Sequence, residues 1–143
     1  MPTRSAQTTW NGGLQDGSGR VELTSSGLAT FDVSFPRRAA DEAGGTTSPE
    51  ELIAAAHSSC FAMQFSHLLA EAGGSNISIT VNAAVSLGPD PAGGFQIPGI
   101  VLTVSGSADG VDATAFADLA GQAKAGCPVS KALTGTEITL AVA

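Results

Sequence analysis

The hydrophobic positions of this chain change period along its length. From Gln7 to Phe35 they recur every second residue, in short runs separated by turn-forming clusters. Gln7-Thr8-Thr9-Trp10 is the first run. Asn11-Gly12-Gly13 and Asp16-Gly17-Ser18-Gly19 turn the chain, alternation resumes from Arg20 to Leu23, and Ser25-Ser26-Gly27 turns it again. Leu28 to Phe35 then alternates with Phe31, Val33 and Phe35 on one face. The pattern predicts an antiparallel meander of three strands that ends at Pro36-Arg37-Arg38, followed by a loop over Ala39 to Thr47.

From Ser48 to Gly74 the alternation stops, and the longest helix candidate of the chain begins. Ser48 can cap it, Pro49 fits the first helical position, and Glu51 stands at the capping-box offset from Ser48. Glu50 and Glu51 suit the positive end of the helix dipole, and Gly73-Gly74 stops the helix. Its middle is almost entirely Ala, Ser and Cys, which lets another backbone approach closely. That composition predicts a buried central helix.

Period two returns from Asn76 to Leu87, with Ile77, Ile79, Val81, Ala83, Val85 and Leu87 inward. Gly88 to Gly94 reads as a turn. Phe95 to Ser107 alternates less cleanly, and Pro98-Gly99 marks a bulge or an irregular start. A second helix runs over Ala113 to Ala125, capped by Asp112 or Thr114. Gly126 breaks it, a short helical turn starts at Cys127, and Thr136 to Val142 is a last strand. The predicted order is βββ-α-ββ-α-β, an α+β class with mainly antiparallel pairing in one domain, residues 1–143.

Composition narrows the function classes. The net charge is −7 and the six basic residues form no run longer than two, so nucleic acid and anionic membrane surfaces are not expected partners. Met1 to Trp10 holds no apolar segment of a signal peptide, and no apolar run is long enough to span a bilayer. A cytoplasmic protein is expected, in which two cysteines are thiols rather than a permanent staple.

Three readings of Cys60 and Cys127 stand open from the residues. One is a reactive pair: Cys127 follows Gly126 and precedes Pro128, so it lies at a helix N-terminus, where unpaired N–H groups favour a thiolate. Another is two inert buried thiols in a non-enzymatic, small-ligand-binding stress protein. The third is a metal site using His57, Cys60, His67 and Cys127. His67 lies roughly 10 Å along the helix from Cys60, and the spacings match no usual zinc pattern.

Glu50 is ten residues before Cys60, about 15 Å along one helix, and cannot serve that cysteine. Two helices crossing antiparallel near Ala55 in a two-fold dimer would bring Glu50 of one copy to Cys60 of the other. A bare thiol has a pKa of about 8.5, so a thiolate at Cys60 needs a cation, and His57, Arg37 and Arg38 are the candidates. An arginine held by Glu50 would also grip peroxide oxygens.

Thr47 to Phe61, with Ala56-His57-Ser58-Ser59-Cys60-Phe61, resembles the helix signature of the OsmC/Ohr family, the osmotically inducible and organic hydroperoxide resistance proteins. Lys124 to Leu133, with Gly126-Cys127-Pro128-Val129-Ser130, resembles its second signature. Both forms are nearer the OsmC branch. The N-terminal Trp10-x-Gly12-Gly13 and the closing Glu137-Ile138-Thr139-Leu140 also fit. The resemblance implies an intertwined homodimer and a thiol-dependent peroxidase acting on organic hydroperoxides, less well on hydrogen peroxide. It implies Cys60 as the peroxidatic cysteine, Cys127 as the resolving one, and Glu50 as the carboxylate that orients an arginine. Arg38 matches that arginine best, with Arg37 as the alternative. Re-reduction by a dithiol such as dihydrolipoamide or a lipoylated protein is implied, with no organic cofactor or metal. His57, Phe61, Met63 and Phe65 are further candidates near Cys60, the last three as apolar walls favouring organic peroxides.

Overall fold

The first three alternating runs pair as a meander. In the computed structural model, which describes residues 1–143, β1 (Gln7–Asn11), β2 (Ser18–Glu22) and β3 (Thr30–Val33) form an antiparallel sheet in that order. Trp10 lies opposite Gly19, and a Cβ on Gly19 would stand 2.7 Å from the indole ring. The chain forms two compact units, residues 1–52 and 53–143, and this sheet belongs to the first. Val21 is the only buried hydrophobic residue of that unit; Trp10, Leu14 and Leu28 are exposed. A small sheet with one buried apolar side chain has too little core to stand alone.

β3 ends earlier than the alternation predicts. Ser34 caps a single helical turn, α1 (Phe35–Arg38), by accepting the Arg37 N–H, and Pro36 has no N–H to continue a ladder. Arg37 and Arg38 therefore sit on a helical turn and not at a strand end.

The central helix, α2, spans Pro49–Glu71. Ser48 caps it as expected, its Oγ accepting the Glu51 N–H at 3.2 Å. The capping box is only half made, because the Glu51 carboxylate accepts from the Thr47 hydroxyl. In the second unit α2 buries one stripe, His57, Phe61, Phe65 and Leu69, each one helical turn beyond the last. Ala55, Ala56, Ser59 and Met63 are exposed. Within the chain the helix is thus buried along one side.

The second sheet has the order β4-β7-β8, from β4 (Ser75–Val85), β7 (Gly99–Asp109) and β8 (Glu137–Val142). β4 and β7 are antiparallel; β7 and β8 are parallel, the exception to the antiparallel pairing expected. The irregular run from Phe95 resolves into a two-strand ribbon, β5 (Gly88–Pro89) with β6 (Phe95–Gln96), interrupted by Pro98 before β7 begins. α3 (Ala113–Gly126) is capped by Asp112, which accepts the Ala115 N–H at 2.9 Å. A last turn, α4 (Pro128–Ala132), starts at Cys127.

Phe61, Phe65 and Leu69 of α2, Leu102 and Val104 of β7, and Phe116 and Ala120 of α3 make the core of this unit. Phe65 and Phe116 meet edge to face, with centroids 4.8 Å apart. Gly106 has φ +140°, and a Cβ there would lie 2.0 Å from the Ser78 carbonyl oxygen on β4. Gly106→Ala is expected to cost at least about 2 kcal/mol, seen as a lower urea midpoint with an unchanged slope.

Candidate active site

α2 and the α3–α4 junction bring the two cysteines together. Both are free thiols, with Sγ atoms 3.2 Å apart. That is contact, longer than a disulfide bond of about 2.05 Å, so a small displacement would close it. Cys60 is partly exposed, and Cys127 is fully buried. Helical spacing puts Cys60 beside the buried stripe, three residues after His57. α3 runs through Gly126, one residue past the expected break, and Cys127 both ends it and heads α4.

The two thiols differ in acidity. Burial pushes the Cys60 thiol up; the Val129 N–H offsets part of this, and the adjoining Cys127 sulfur adds to it. Burial also works against a charge on Cys127, but it is outweighed there. The Ser130 N–H, the Cys60 thiol, the Ser130 hydroxyl and the Val129 N–H together hold Cys127 below the ordinary thiol range. Within this chain the surroundings favour a charge on Cys127 over one on Cys60.

His57 is fully buried. Its Nε2 lies 2.7 Å from the Ser130 Oγ, and its Nδ1 has no partner. Burial lowers its pKa, so the folded protein holds the imidazole neutral. Once the pH drops below about 6.5 the unfolded chain takes up a proton that the fold resists. The histidine's share of stability is therefore intact above that pH and is lost as acid carries the pH down toward the folded pKa. Urea midpoints measured across this window are expected to fall with acid, and His57→Gln to flatten that part of the dependence.

The first unit holds a second constellation. Arg38 donates from Nε to both carboxylate oxygens of Glu50 at 3.1 Å and from Nη2 to Oε1 at 2.7 Å. Glu50 is buried, and the Arg38 side chain is 30 % exposed. Burial alone would raise the Glu50 pKa, but the hydrogen bonds and charge of Arg38 overcome it and the carboxylate is held ionised. The same bonds raise the guanidinium pKa. Arg38 also borders a largely apolar pocket of about 480 Å³ with Trp10, Leu14, Phe35 and Leu52. Arg37 takes a different place. Its guanidinium covers Gly44 and lines a polar trough on the sheet.

Of the candidate residues, Cys60 meets Cys127, and Glu50 meets Arg38 and not Arg37. Phe61 and Phe65 are core residues rather than pocket walls, and Met63 is 70 % exposed. No three His, Cys, Asp or Glu side chains gather as a metal site would require, and His67 pairs with Glu71 on the surface. Ser130, which meets His57, stands in the second signature without a role of its own. Its signal was the offset from Cys127, the third position of a turn that the cysteine caps.

The profile of the OsmC family, described as OsmC-like protein, matches residues 41–142. The chain is 42 % identical over 137 residues to peroxiredoxin OsmC of Escherichia coli (strain K12), covering 96 % of this chain and 93 % of that one. It belongs to the OsmC-like family. The organic hydroperoxide resistance protein OhrA of Bacillus subtilis (strain 168) is 35 % identical over 126 residues, 85 % of each chain. The crystal structure of an organic hydroperoxide resistance protein OsmC from Legionella pneumophila superposes with a TM-score of 0.79 at 30 % identity, covering 100 % of this chain and 98 % of that one. The α+β architecture, with its antiparallel sheets and central helix, is the OsmC-like fold. The higher identity to peroxiredoxin OsmC than to OhrA places the chain on the OsmC side of the family. No helix of this OsmC-like protein is long and apolar enough to cross a membrane.

Proposed function

We propose that this OsmC-like protein is a thiol-dependent peroxidase that reduces organic hydroperoxides, and hydrogen peroxide less well, to alcohols and water. The observation that carries the reading is the pair of free thiols in contact at 3.2 Å, one reachable and one sealed. Cys60 thiolate attacks the terminal peroxide oxygen. The O–O bond breaks, the alkoxide takes a proton and leaves as alcohol, and Cys60 becomes a sulfenic acid. Cys127 thiolate then attacks that sulfur and expels hydroxide, which is protonated to water, leaving a Cys60–Cys127 disulfide. An external dithiol, such as dihydrolipoamide or a lipoylated protein, restores both thiols by exchange. Neither an organic cofactor nor a metal takes part.

The active unit in this reading is a homodimer in the cytoplasm. Arg38, clamped by Glu50 of its own chain, faces Cys60 of the partner chain, draws the charge from Cys127 to Cys60 and binds the peroxide oxygens. Three features support it. Glu50 and Cys60 are too far apart on one helix to cooperate. The exposed face of α2 carries Ala55, Ala56 and Ser59, small enough for a close crossing. The first unit leaves Trp10 and Leu14 without apolar cover. The two units are then parts of one OsmC-like domain.

Thiol titration before and after one equivalent of organic hydroperoxide tests the reading. Two thiols are expected to disappear in the wild type. In Cys127→Ser one is expected to disappear, with a sulfenic acid in its place. An unchanged thiol count would overturn the proposal.

A further inference from the structure

α2 and the turn that Cys127 heads meet at two points, and the chemistry proposed above uses only one of them. The Cys60 and Cys127 sulfurs touch at 3.2 Å. The His57 Nε2 and Ser130 Oγ meet at 2.7 Å. His57 and Cys60 are three residues apart on α2, and Cys127 and Ser130 three apart across the first turn of α4. The partners run in opposite order, 57 with 130 and 60 with 127, so the two contacts lie side by side. On α2 they are about one turn, roughly 5 Å, apart.

His57 is the one polar member of the buried stripe that Phe61, Phe65 and Leu69 continue. The imidazole is fully buried, Ser130 is 6 % exposed, and the His57 Nδ1 has no partner. An apolar side chain at 57 would be buried as well, without the orphaned atom. What the polar pair supplies instead is direction. A hydrogen bond holds only near one distance and angle, whereas apolar surfaces are indifferent to orientation. α4 needs such a fixing, because its five residues are too few for a helix to hold its own place, and its N-cap is the residue that carries the sulfur.

We infer that the His57–Ser130 hydrogen bond is a latch that holds α4 on α2 and so keeps Cys127 against Cys60, which makes His57 and Ser130 positioning residues for closure of the disulfide. The direction of the effect follows from which state needs the latch. Once the disulfide has formed, the S–S bond itself ties α4 to α2. In the dithiol form the tie is the hydrogen bond together with the packing of Val129 on the core. Loss of the latch therefore frees α4 in the dithiol and not in the disulfide. The dithiol gains conformational entropy, and the effective concentration of one sulfur at the other falls.

The benefit to the reaction rests on the peroxidase reading. A Cys60 sulfenic acid that waits for its partner meets a second hydroperoxide, which gives one oxygen to the sulfur and leaves as alcohol, and the cysteine ends as a sulfinic acid. The latch keeps the resolving step ahead of that loss.

The latch itself is tested without peroxide, on the full chain in graded mixtures of reduced and oxidised dithiothreitol. The oxidised reagent accepts two electrons and two protons from the thiol pair as the Cys60–Cys127 bond forms. Ser130→Ala and His57→Ala are each expected to lower the effective concentration of the pair about fivefold, and the double variant no further. His57→Gln keeps a hydrogen-bonding group near the Nε2 position and is expected to stay within about twofold of wild type. Leu69→Val, about three turns farther along the same stripe, is expected to lower the urea midpoint and leave the redox equilibrium unmoved. A wild-type equilibrium in Ser130→Ala overturns the inference, as does a fall in His57→Gln or in Leu69→Val equal to that in His57→Ala. With excess tert-butyl hydroperoxide, Ser130→Ala is expected to carry about five times the wild-type fraction of Cys60 sulfinic acid, read by mass; an equal, measurable fraction in both overturns it too. If the dithiothreitol equilibria shift as expected and the hydroperoxide consumes no thiol even in the wild type, the peroxidase reading fails alone.

Discussion

Cys60→Ser is expected to abolish hydroperoxide turnover, by at least about 10³-fold, while Cys127→Ser is expected to consume one equivalent and then stall. The assignment is a contest between two properties. By acidity within the chain, Cys127 is the better nucleophile, because backbone N–H groups and the Ser130 hydroxyl favour its thiolate and burial disfavours a charge on Cys60. By access, Cys127 has no solvent-exposed surface, and a hydroperoxide bearing an organic group cannot reach it without opening the core. Access decides, since an ideal thiolate that never meets its substrate has no rate, whereas an added cation can lower a pKa. Acidity then suits Cys127 to the second step, where its target is already in contact. The measurement is loss of an organic hydroperoxide over time with excess dithiol, and in a burst with none. Turnover surviving in Cys60→Ser and lost at the first step in Cys127→Ser would reverse the two roles.

Most of this architecture was legible because its signals are local. Period-two alternation located the strands on either side of α2; Ser48 marked the cap of α2, and Asp112, one of two candidates with Thr114, is the cap of α3. What escaped depends on choices that local rules leave open. Ser34 could end a strand or cap a turn; the turn won because Pro36 cannot feed a ladder. The parallel pairing of β8 with β7 follows from the intervening α3 and α4, which carry the chain back to the same end of the sheet. The small residues of α2 point to a helix that another backbone approaches closely. They do not say whether the approaching backbone belongs to the same chain. Cys60, Cys127 and Glu50 stand in the two signatures, whereas Arg38 lies outside both, and only the fold pairs it, and not Arg37, with Glu50. Ser130 was missed because an unremarkable serine gains its importance only from meeting His57, which lies 73 positions away in the chain.

Arg38→Lys is expected to lower kcat/KM for organic hydroperoxides by about 10²-fold, and Arg38→Ala by up to about 10³-fold, with Arg37→Ala close to wild type. The reason lies in how the fork is used. Glu50 takes Nε and one edge of Nη2, the side-on arrangement, which leaves Nη1 and the other edge of Nη2 to turn toward a sulfur and a peroxide. A lysine carries the same charge but only a point donor. It can stay on Glu50 or reach the reacting atoms, and cannot do both from fixed positions. Charge alone would therefore be kept while orientation is lost. The two contributions separate in one measurement, the pH dependence of Cys60 alkylation. Arg38→Lys is expected to retain much of the acid shift of the thiol and still lose the rate with peroxide, whereas Arg38→Ala is expected to lose both. Glu50→Gln, which keeps the size of the clamp but not its charge, is expected to fall nearer Arg38→Lys, since the guanidinium remains and only its aim is loosened. A wild-type rate in Arg38→Lys would mean that a positive charge suffices and that the fork has no part in gripping the peroxide.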